Sequence, residues 1–228
     1  MNKKDVLFIM EAITLDPYFK DYRIRKSDNA IYSKSGIGWQ RIVPHYYNTY
    51  DLSRNELALE ITPFYEIRFN VLHKWFEKYS KKQIKTQRDD CSLIFVGDKL
   101  GTINEFYFLE NRKDFDKDLK RIKEEVTAIS KVVFSKYTTL EGYYDYCIGD
   151  VLKGERKLPD VSFEWVIEYL IVTRLVAPSY YEKVKRLVLE QVDFMKRRNE
   201  PNVKMYYNEL PVILEDLENT DFSSDKWK

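Results

Sequence analysis

The sequence predicts an α+β protein with an antiparallel sheet of about five strands and flanking helices, followed by a helical C-terminal half. Two observations support this fold class. Between residues 22 and 109, polar and apolar side chains alternate in several segments, which is typical of strands. From Asp114 onward, apolar residues instead recur at steps of three and four, which is typical of helices.

An amphipathic helix at residues 3–15 is the first predicted element. A β-hairpin follows it, because the alternating segments 22–26 and 30–34 flank the tripeptide Ser-Asp-Asn at 27–29. Side chains of these types hydrogen bond to nearby backbone and favour tight turns. We therefore expect the hairpin to turn at residues 27–29.

The next strand runs from Trp39 to Tyr50 and is both polar and aromatic. Proline has no N–H to give to a strand partner, so we expect a break or bulge at Pro44. Residues 56–61 alternate cleanly between Leu or Ile and Glu or Ala. This pattern predicts another strand, with one face in water.

A Thr-Pro pair at 62–63 is favoured at the start of a helix. The Thr side chain can accept hydrogen bonds from backbone N–H groups that have no partner in the first turn, and Pro has no N–H that would need one. The sequence thus predicts a helix at 63–79, packed on the sheet. Two apolar strands follow at 92–96 and 104–109, joined across residues 97–101. Because both are apolar on each side, we expect them to be central strands.

No repeat and no linker rich in Gly, Ser or Pro interrupts the chain. We predict a sheet domain at residues 1–112 and a helical region at residues 113–228, sharing one core. Within the helical region, residues 163–172 are apolar nearly all round. This segment is expected to be the buried centre of that region.

Composition and charge narrow the range of partners. The net charge is +1, from 38 Lys and Arg against 37 Asp and Glu. Nucleic acids and anionic membranes attract clustered positive charge, so this balance argues against both. No apolar stretch approaches the roughly 18 residues of a membrane span. Cys91 and Cys147 are far apart and suit free thiols in a reducing cytoplasm, which is the location we expect.

Few residues suit catalysis. The two histidines, His45 and His73, belong to no HxH or HExxH motif, and the two cysteines form no CxxC pair. Gly36-Ile-Gly38 precedes a strand rather than opening a helix, so it is not a phosphate-binding loop. We predict no catalytic residue, no metal site and no cofactor.

The alternative is a Mg²⁺-dependent phosphodiester or nucleotide-processing enzyme. Such a site needs acidic residues to hold the metal and a nearby lysine to polarise the phosphate. Asp116 to Lys120 and Glu155 to Lys157 come nearest to that pattern. Both lie in helical or loop segments where charged residues are common, so this reading is the weaker one.

The abundance of aromatic side chains, with 18 Tyr, 13 Phe and 4 Trp, favours binding. If the strands at 22–26 and 39–50 belong to neighbouring parts of one sheet, they present an aromatic and basic surface. Tyr, Trp and Arg dominate the energetics of protein interfaces, so we predict a protein partner. The predicted partner-binding residues are Arg23, Arg25, Trp39, Arg41, Tyr46, Tyr47 and Tyr50. Alternation puts Tyr46 and Tyr47 on opposite faces, so the other possibility is that half of these rings are core.

The order of elements, with "RKSDNAIYSKS" in the hairpin, "GWQRIV" in the long strand and "WFEKYS" in a helix, resembles an uncharacterised family of bacterial α+β domains of unknown function. The resemblance covers about the first 110 residues. The family is similar to small cytoplasmic proteins encoded beside toxin, immunity and mobile-element genes. It implies a binding role.

We therefore expect an interaction module, either an immunity- or antitoxin-like protein or a subunit of a bacterial defence or regulatory complex. Replacing Arg41 by Ala, or the exposed one of Tyr46 and Tyr47, is expected to weaken partner binding. The same replacements are expected to leave the melting temperature nearly unchanged.

Overall fold

The computed structural model describes residues 3–96, 105–159 and 162–223. Within these ranges, an antiparallel sheet is followed by a helical C-terminal half, so the α+β prediction is confirmed. The sheet has six strands, one for each of the six segments that the sequence predicts as strands. None of the described helices is long and apolar enough to cross a bilayer.

The strands follow one another along the sheet in the order β1-β2-β3-β4-β5, and β6 pairs with β4 as well. Their bounds are β1 Arg23–Arg25, β2 Ala30–Ser35, β3 Gly38–Asp51, β4 Glu56–Phe69, β5 Leu93–Phe95 and β6 Phe106–Leu109. The predicted hairpin, with its turn at residues 27–29, is confirmed. Strands β1 and β2 pair with Arg23 opposite Tyr32 and Arg25 opposite Ala30.

The described helices are α1 Lys3–Thr14, α2 Asn70–Phe76, α3 Ile84–Asp89, α4 Phe115–Tyr137, α5 Leu140–Tyr144, α6 Asp150–Leu152, α7 Phe163–Val176, α8 Tyr181–Arg197, α9 Pro201–Tyr206 and α10 Leu210–Asn219. Helix α1 precedes the sheet, α2 and α3 lie between β4 and β5, and the remaining described helices follow β6. A π-helical turn at Asp145–Gly149 joins α5 to α6.

The chain folds into two compact units, each made of two segments. Unit 1 comprises residues 1–68 and 93–136, and unit 2 comprises residues 69–92 and 137–228. This division cuts across the boundary at residue 112 that the sequence suggests. The reason is that α4 belongs to unit 1, whereas the segment between β4 and β5 belongs to unit 2.

In unit 1, one face of the sheet forms the core, and we call it the inner face. Directly opposed residues share a face, so the half-buried Ile24 and the buried Ile31 and Ile42 form one inner-face row across β1, β2 and β3. Helix α4 packs there, with Phe134 against Tyr65 at a ring distance of 6.3 Å. The opposite face, which we call the outer face, carries Arg23, Tyr32, Arg41, Tyr47, Glu60, Glu66 and Tyr107.

The predicted break at Pro44 is wrong, because β3 continues through it. The pairing of β2 with β3 ends at Ile42, so the missing N–H at Pro44 costs no bond to β2. Pro63 lies in a similar place within β4. It falls between the stretch paired with β6, which ends at Ile61, and the stretch paired with β5, which begins at Tyr65.

The predicted helix at 63–79 is therefore also wrong in its first half. Residues up to Phe69 extend β4, and the helix begins only at Asn70. The side chains of Tyr65, Ile67 and Phe69 alternate into the core, so their period-two pattern outweighs the local preference of the Thr-Pro pair. The predicted connection at 97–101 lies outside the described residues. The prediction that the strands at 92–96 and 104–109 are central is wrong, because among the described strands β5 and β6 each pair with β4 alone.

In unit 2, α7 is the buried centre, as the sequence predicts. Val166, Ile167, Leu170 and Ile171 are each fully buried. Phe163 at its start stacks on Tyr206 of α9 with ring centroids 4.9 Å apart. A helix that is apolar nearly all round is stable only when other elements surround it.

A tight turn joins β3 to β4 across residues 52–55. The Asp51 carboxylate accepts hydrogen bonds from the Ser53 amide at 2.9 Å, the Ser53 hydroxyl at 2.6 Å and the Arg54 amide at 3.2 Å. Asn55 completes the turn with φ at +56°, a conformation that Asn tolerates. The hydrogen bond from the Ser53 hydroxyl is the main reason why the pKa of Asp51 lies below its usual value.

We predict that Asp51→Asn lowers the free energy of unfolding by about 1 kcal/mol at pH 7, because a charged acceptor is lost. The pKa of Asp51 is lowered in the folded state, so its contribution is complete above the unfolded value near pH 3.9 and is lost as the pH falls through the folded value. Urea denaturation at pH 7 and below pH 3 checks this. A difference between the two proteins that stays constant with pH would contradict it.

Candidate protein-interaction surface

The structure divides the seven predicted binding residues between two ends of β3. At one end, Trp39 and Arg41 are buried, with 6% and 9% of their surface exposed. At the other end, Tyr47 and Tyr50 are exposed, at 55% and 46%. The remaining three residues are Arg23, which is exposed, and Arg25 and Tyr46, which are half-buried.

Arg41 belongs to a buried ion-pair network rather than to a free surface. Its Nε donates to Glu66 of β4 at 2.5 Å, and its Nη1 donates to Asp28 at 3.1 Å. Asp28 also accepts from Arg25, so the hairpin turn and two strands are tied together. The expectation that Arg41 acts as an exposed binding residue is thus corrected, because β3 lies between two strands here and an acid of β4 faces the guanidinium.

The pKa directions of the two acids in this network differ. Burial raises the pKa of Glu66, and the attraction of Arg41 only partly offsets this effect. At Asp28 burial also acts to raise the pKa, but the hydrogen bond and charge of Arg25 outweigh it, so the pKa is lowered. Arg41 is therefore the main group that favours the charged form of Glu66 against the effect of burial on its pKa.

Trp39 is covered by its neighbours on the outer face. The Arg41 guanidinium carbon lies 4.4 Å from the centre of the Trp39 ring, and the Tyr32 ring lies 6.2 Å away. Arg23 and Arg25 in turn lie over Tyr32, at 5.5 and 4.9 Å. This end of the sheet is therefore a layer of cations and rings, in which Tyr32 and Trp39 each have at least one guanidinium within about 6 Å of the ring centre.

Strands β3 and β4 form a second, longer hairpin. Its end around the turn, residues 44–62, is called the hairpin arm below. The Tyr47 hydroxyl donates to Glu60 of β4, which is buried, and this hydrogen bond raises the pKa of Tyr47. Glu60 is directly opposite Tyr107 of β6, whose own hydroxyl donates to Glu105 at 3.1 Å. The Tyr47 side chain is therefore held at its hydroxyl while more than half of its surface stays in water.

Tyr50 is held in a similar way at the end of the arm. Its hydroxyl donates to the Asn55 side chain at 3.0 Å. It lines a shallow groove of about 400 Å³ together with Thr49, Asp51, Leu52, Ser53, Arg54, Tyr107 and Arg121. Arg54 cannot serve a ligand freely, because both of its terminal nitrogens donate to Asp118 at 3.1 Å.

Sequence reasoning missed three residues of this surface. Phe64 stacks on His45 with ring centroids 4.0 Å apart, and Glu60 holds Tyr47. Leu52 at the tip of the arm is 87% exposed. The β3–β4 hairpin could have indicated two of them, since pairing these strands across a turn at 52–55 places Glu60 beside Tyr47 and Phe64 beside His45.

The edge of β3 is open along the arm. Strand β2 pairs with β3 from Gly38 to Ile42, and β4 pairs on the other side. Between residues 44 and 50, none of the described strands lies against the β2 side of β3. Backbone N–H and C=O groups on that side therefore face outward.

Histidine, serine and acidic side chains do meet in unit 2, but not in a catalytic arrangement. His73 Nε2 lies 3.0 Å from Ser92 Oγ and 3.4 Å from Glu168 Oε1. A relay needs the serine and the acid on different ring nitrogens, whereas here they share one. Ser92 is also 2% exposed and accepts a bond from the Phe69 amide. This cluster serves to satisfy buried polar groups.

Asp118, one of the residues considered for a metal-dependent enzyme, lies in α4. Asp118 is buried and bonded to Arg54. Across the part of the chain that the structure describes, no three His, Cys, Asp or Glu side chains are grouped so that they could hold a metal ion. Neither Cys91 nor Cys147 is in a disulfide bond, and burial raises the pKa of Cys147.

Comparison with known proteins gives no match, whether to protein-family models, to curated protein sequences or to solved structures. The resemblance to a bacterial α+β family therefore stays a prediction.

We predict that Arg41→Ala lowers the free energy of unfolding by about 3 kcal/mol, because it leaves Glu66 buried without its partner. Because burial raises the folded-state pKa of Glu66 above its unfolded value, the penalty for its charge is absent below the unfolded pKa and complete above the folded one. The loss should accordingly be larger at pH 8 than at pH 5, as measured by urea denaturation.

Two variants control this measurement. Adding Glu66→Gln to Arg41→Ala should recover part of the loss, since the uncompensated charge is removed. The exposed Arg23→Ala should change stability by less than about 0.5 kcal/mol. An Arg41→Ala protein as stable as the wild type would show that the network contributes nothing.

Proposed function

We propose that this protein is a protein-interaction module and that it binds its partner through the hairpin arm. The observation that carries the proposal is the state of Tyr47, whose ring is exposed while its hydroxyl is bonded to the buried Glu60. Tyr50 repeats this arrangement through Asn55. Leu52 and Leu57, at 87% and 54% exposed, extend the apolar surface of the arm.

Such tyrosines suit protein recognition for a physical reason. A side chain that is ordered before binding loses little conformational entropy when a partner arrives. Tyrosine also offers a large ring to apolar contacts and an oxygen to polar ones. A few side chains of this kind carry most of the binding energy in typical interfaces.

The kind of complex follows from the sequence resemblance. A binding role of the immunity or antitoxin kind, or a subunit role in a defence or regulatory complex, agrees with an exposed aromatic arm. It also agrees with a net charge of +1, which provides no general attraction to nucleic acid. We also propose a cytoplasmic location, because cysteines outside disulfide bonds, such as Cys91 and Cys147, persist in a reducing compartment.

We predict that Tyr47→Ala weakens binding to the natural partner about thirtyfold, which corresponds to an interface anchor of about 2 kcal/mol. The melting temperature should fall by only a few degrees, because the Tyr47 ring is exposed and Tyr107, directly opposite Glu60, still lies beside that carboxylate. The partner is found by co-purification with the products of neighbouring genes, and its affinity is measured by calorimetry.

Tyr180→Ala is the matched control, since Tyr180 is 49% exposed but lies in unit 2. It should leave the affinity unchanged. Tyr47→Phe keeps the ring and removes only the hydrogen bond to Glu60, so it should weaken binding less than Tyr47→Ala does. If Tyr180→Ala and Tyr47→Ala weaken binding equally, the hairpin arm is not the interface.

A further inference from the structure

The open edge of β3 is accessible along a stretch of neutral residues. Proteins commonly protect exposed strand edges with charged side chains, prolines or bulges. Here the only such device is Pro44, at the point where β2 stops, and none of the residues from 45 to 50 is an Asp, Glu, Lys or Arg. The edge can therefore accept another strand by main-chain hydrogen bonding.

Charge distinguishes between the possible occupants of this edge. The hairpin arm carries three carboxylates, Asp51, Glu56 and Glu60, and one arginine, Arg54. That arginine is already paired with the buried Asp118. Asp51 and Glu60 are buried, but the arm as a whole still carries net negative charge. Two copies of the arm would bring the same net charge to the contact, whereas a basic segment would bring the opposite one.

The sheet itself shows how a basic strand fits beside a tyrosine. At the other end of the outer face, Arg23 of β1 is directly opposite Tyr32 of β2, and its guanidinium carbon lies 5.5 Å from the ring centre. Tyr47 is on the same face, but its exposed ring has no neighbouring strand on the β2 side in the part of the chain that the structure describes. A Lys or Arg on an added strand would occupy the equivalent position over Tyr47.

We propose that an extended, basic segment of another protein adds to the sheet at residues 44–50 of β3, with its Lys or Arg side chains on the outer face over Tyr47. This inference rests on the proposed function and specifies the partner's chemistry. Apolar side chains at the alternate positions of the added strand would lie on the face of Tyr46 and Tyr50. Backbone pairing supplies affinity, and the alternation of side chains supplies specificity.

Proline substitution at two adjacent positions tests the backbone pairing. In an antiparallel strand, successive residues direct their N–H groups to opposite sides, so one of Asn48 and Thr49 donates towards β4 and the other faces outward. The proline variant that melts close to the wild type identifies the outward position. The alanine variant at the same position is its matched control.

The probe is a short fluorescent peptide of alternating Lys and Val, compared with one of alternating Glu and Val and with the Lys-Val peptide interrupted by a central proline. Fluorescence anisotropy at low salt should show the Lys-Val peptide binding at least about tenfold tighter than the other two. The outward proline variant should lose about tenfold in affinity for it, and the alanine control should not. Amides of residues 45–50 should become protected from hydrogen exchange on binding.

Several results would overturn the inference. These are equal binding of the Lys-Val and Glu-Val peptides, no binding of the Lys-Val peptide up to the solubility limit, and full affinity in the outward proline variant. Concentration-dependent dimerisation that this variant abolishes would show that a second copy occupies the edge instead. If the natural partner's binding depends on Tyr47 but not on the outward N–H, the proposed function stands and the strand addition does not.

Discussion

Pairing between β3 and β4 is the contact on which the rest of unit 1 depends. Each strand has 14 residues, and their register brings Arg41 to Glu66 and Tyr47 to Glu60. Both acids are buried, so each needs its partner to be present. A slip of one residue would move both acids to the inner face, where Ile61 and Tyr65 now pack. The core pattern and the polar contacts thus specify the same register.

The two prolines of this hairpin show how a strand can contain residues that normally interrupt it. Proline cannot donate to a neighbouring strand, and each proline here lies where one neighbour has ended. Pairing of β2 stops before Pro44, and the partners of β4 change from β6 to β5 around Pro63. The first of these positions has a further effect, because β3 continues beyond β2 and its edge becomes available. The fold and the proposed binding edge therefore have a common origin.

The sequence predicted those features that depend on local pattern. The hairpin at 27–29, the α4 helix and the buried α7 were recognisable because alternation, turn residues and helical spacing are properties of neighbouring residues. Burial of Arg41 could not be predicted, because it depends on Glu66, 25 positions away. The Thr-Pro pair at 62–63 also suggested a helix there, which would have removed Glu66 from the sheet. One error of element type thus caused the error about the site.

The outer face gives different roles to similar side chains according to the strands beside them. Where β1 and β2 are present, cation–π contacts link the arginines to the rings. Arg23 and Arg25 lie over Tyr32, and Arg41 lies over Trp39. Along the hairpin arm no described strand supplies such a cover, and the tyrosines keep their rings in water. Their hydroxyls are nevertheless bonded, so the exposure is not a consequence of loose packing. An ordered aromatic surface beside an open strand edge can accept an added strand, and that is the physical basis for proposing that the arm binds a partner.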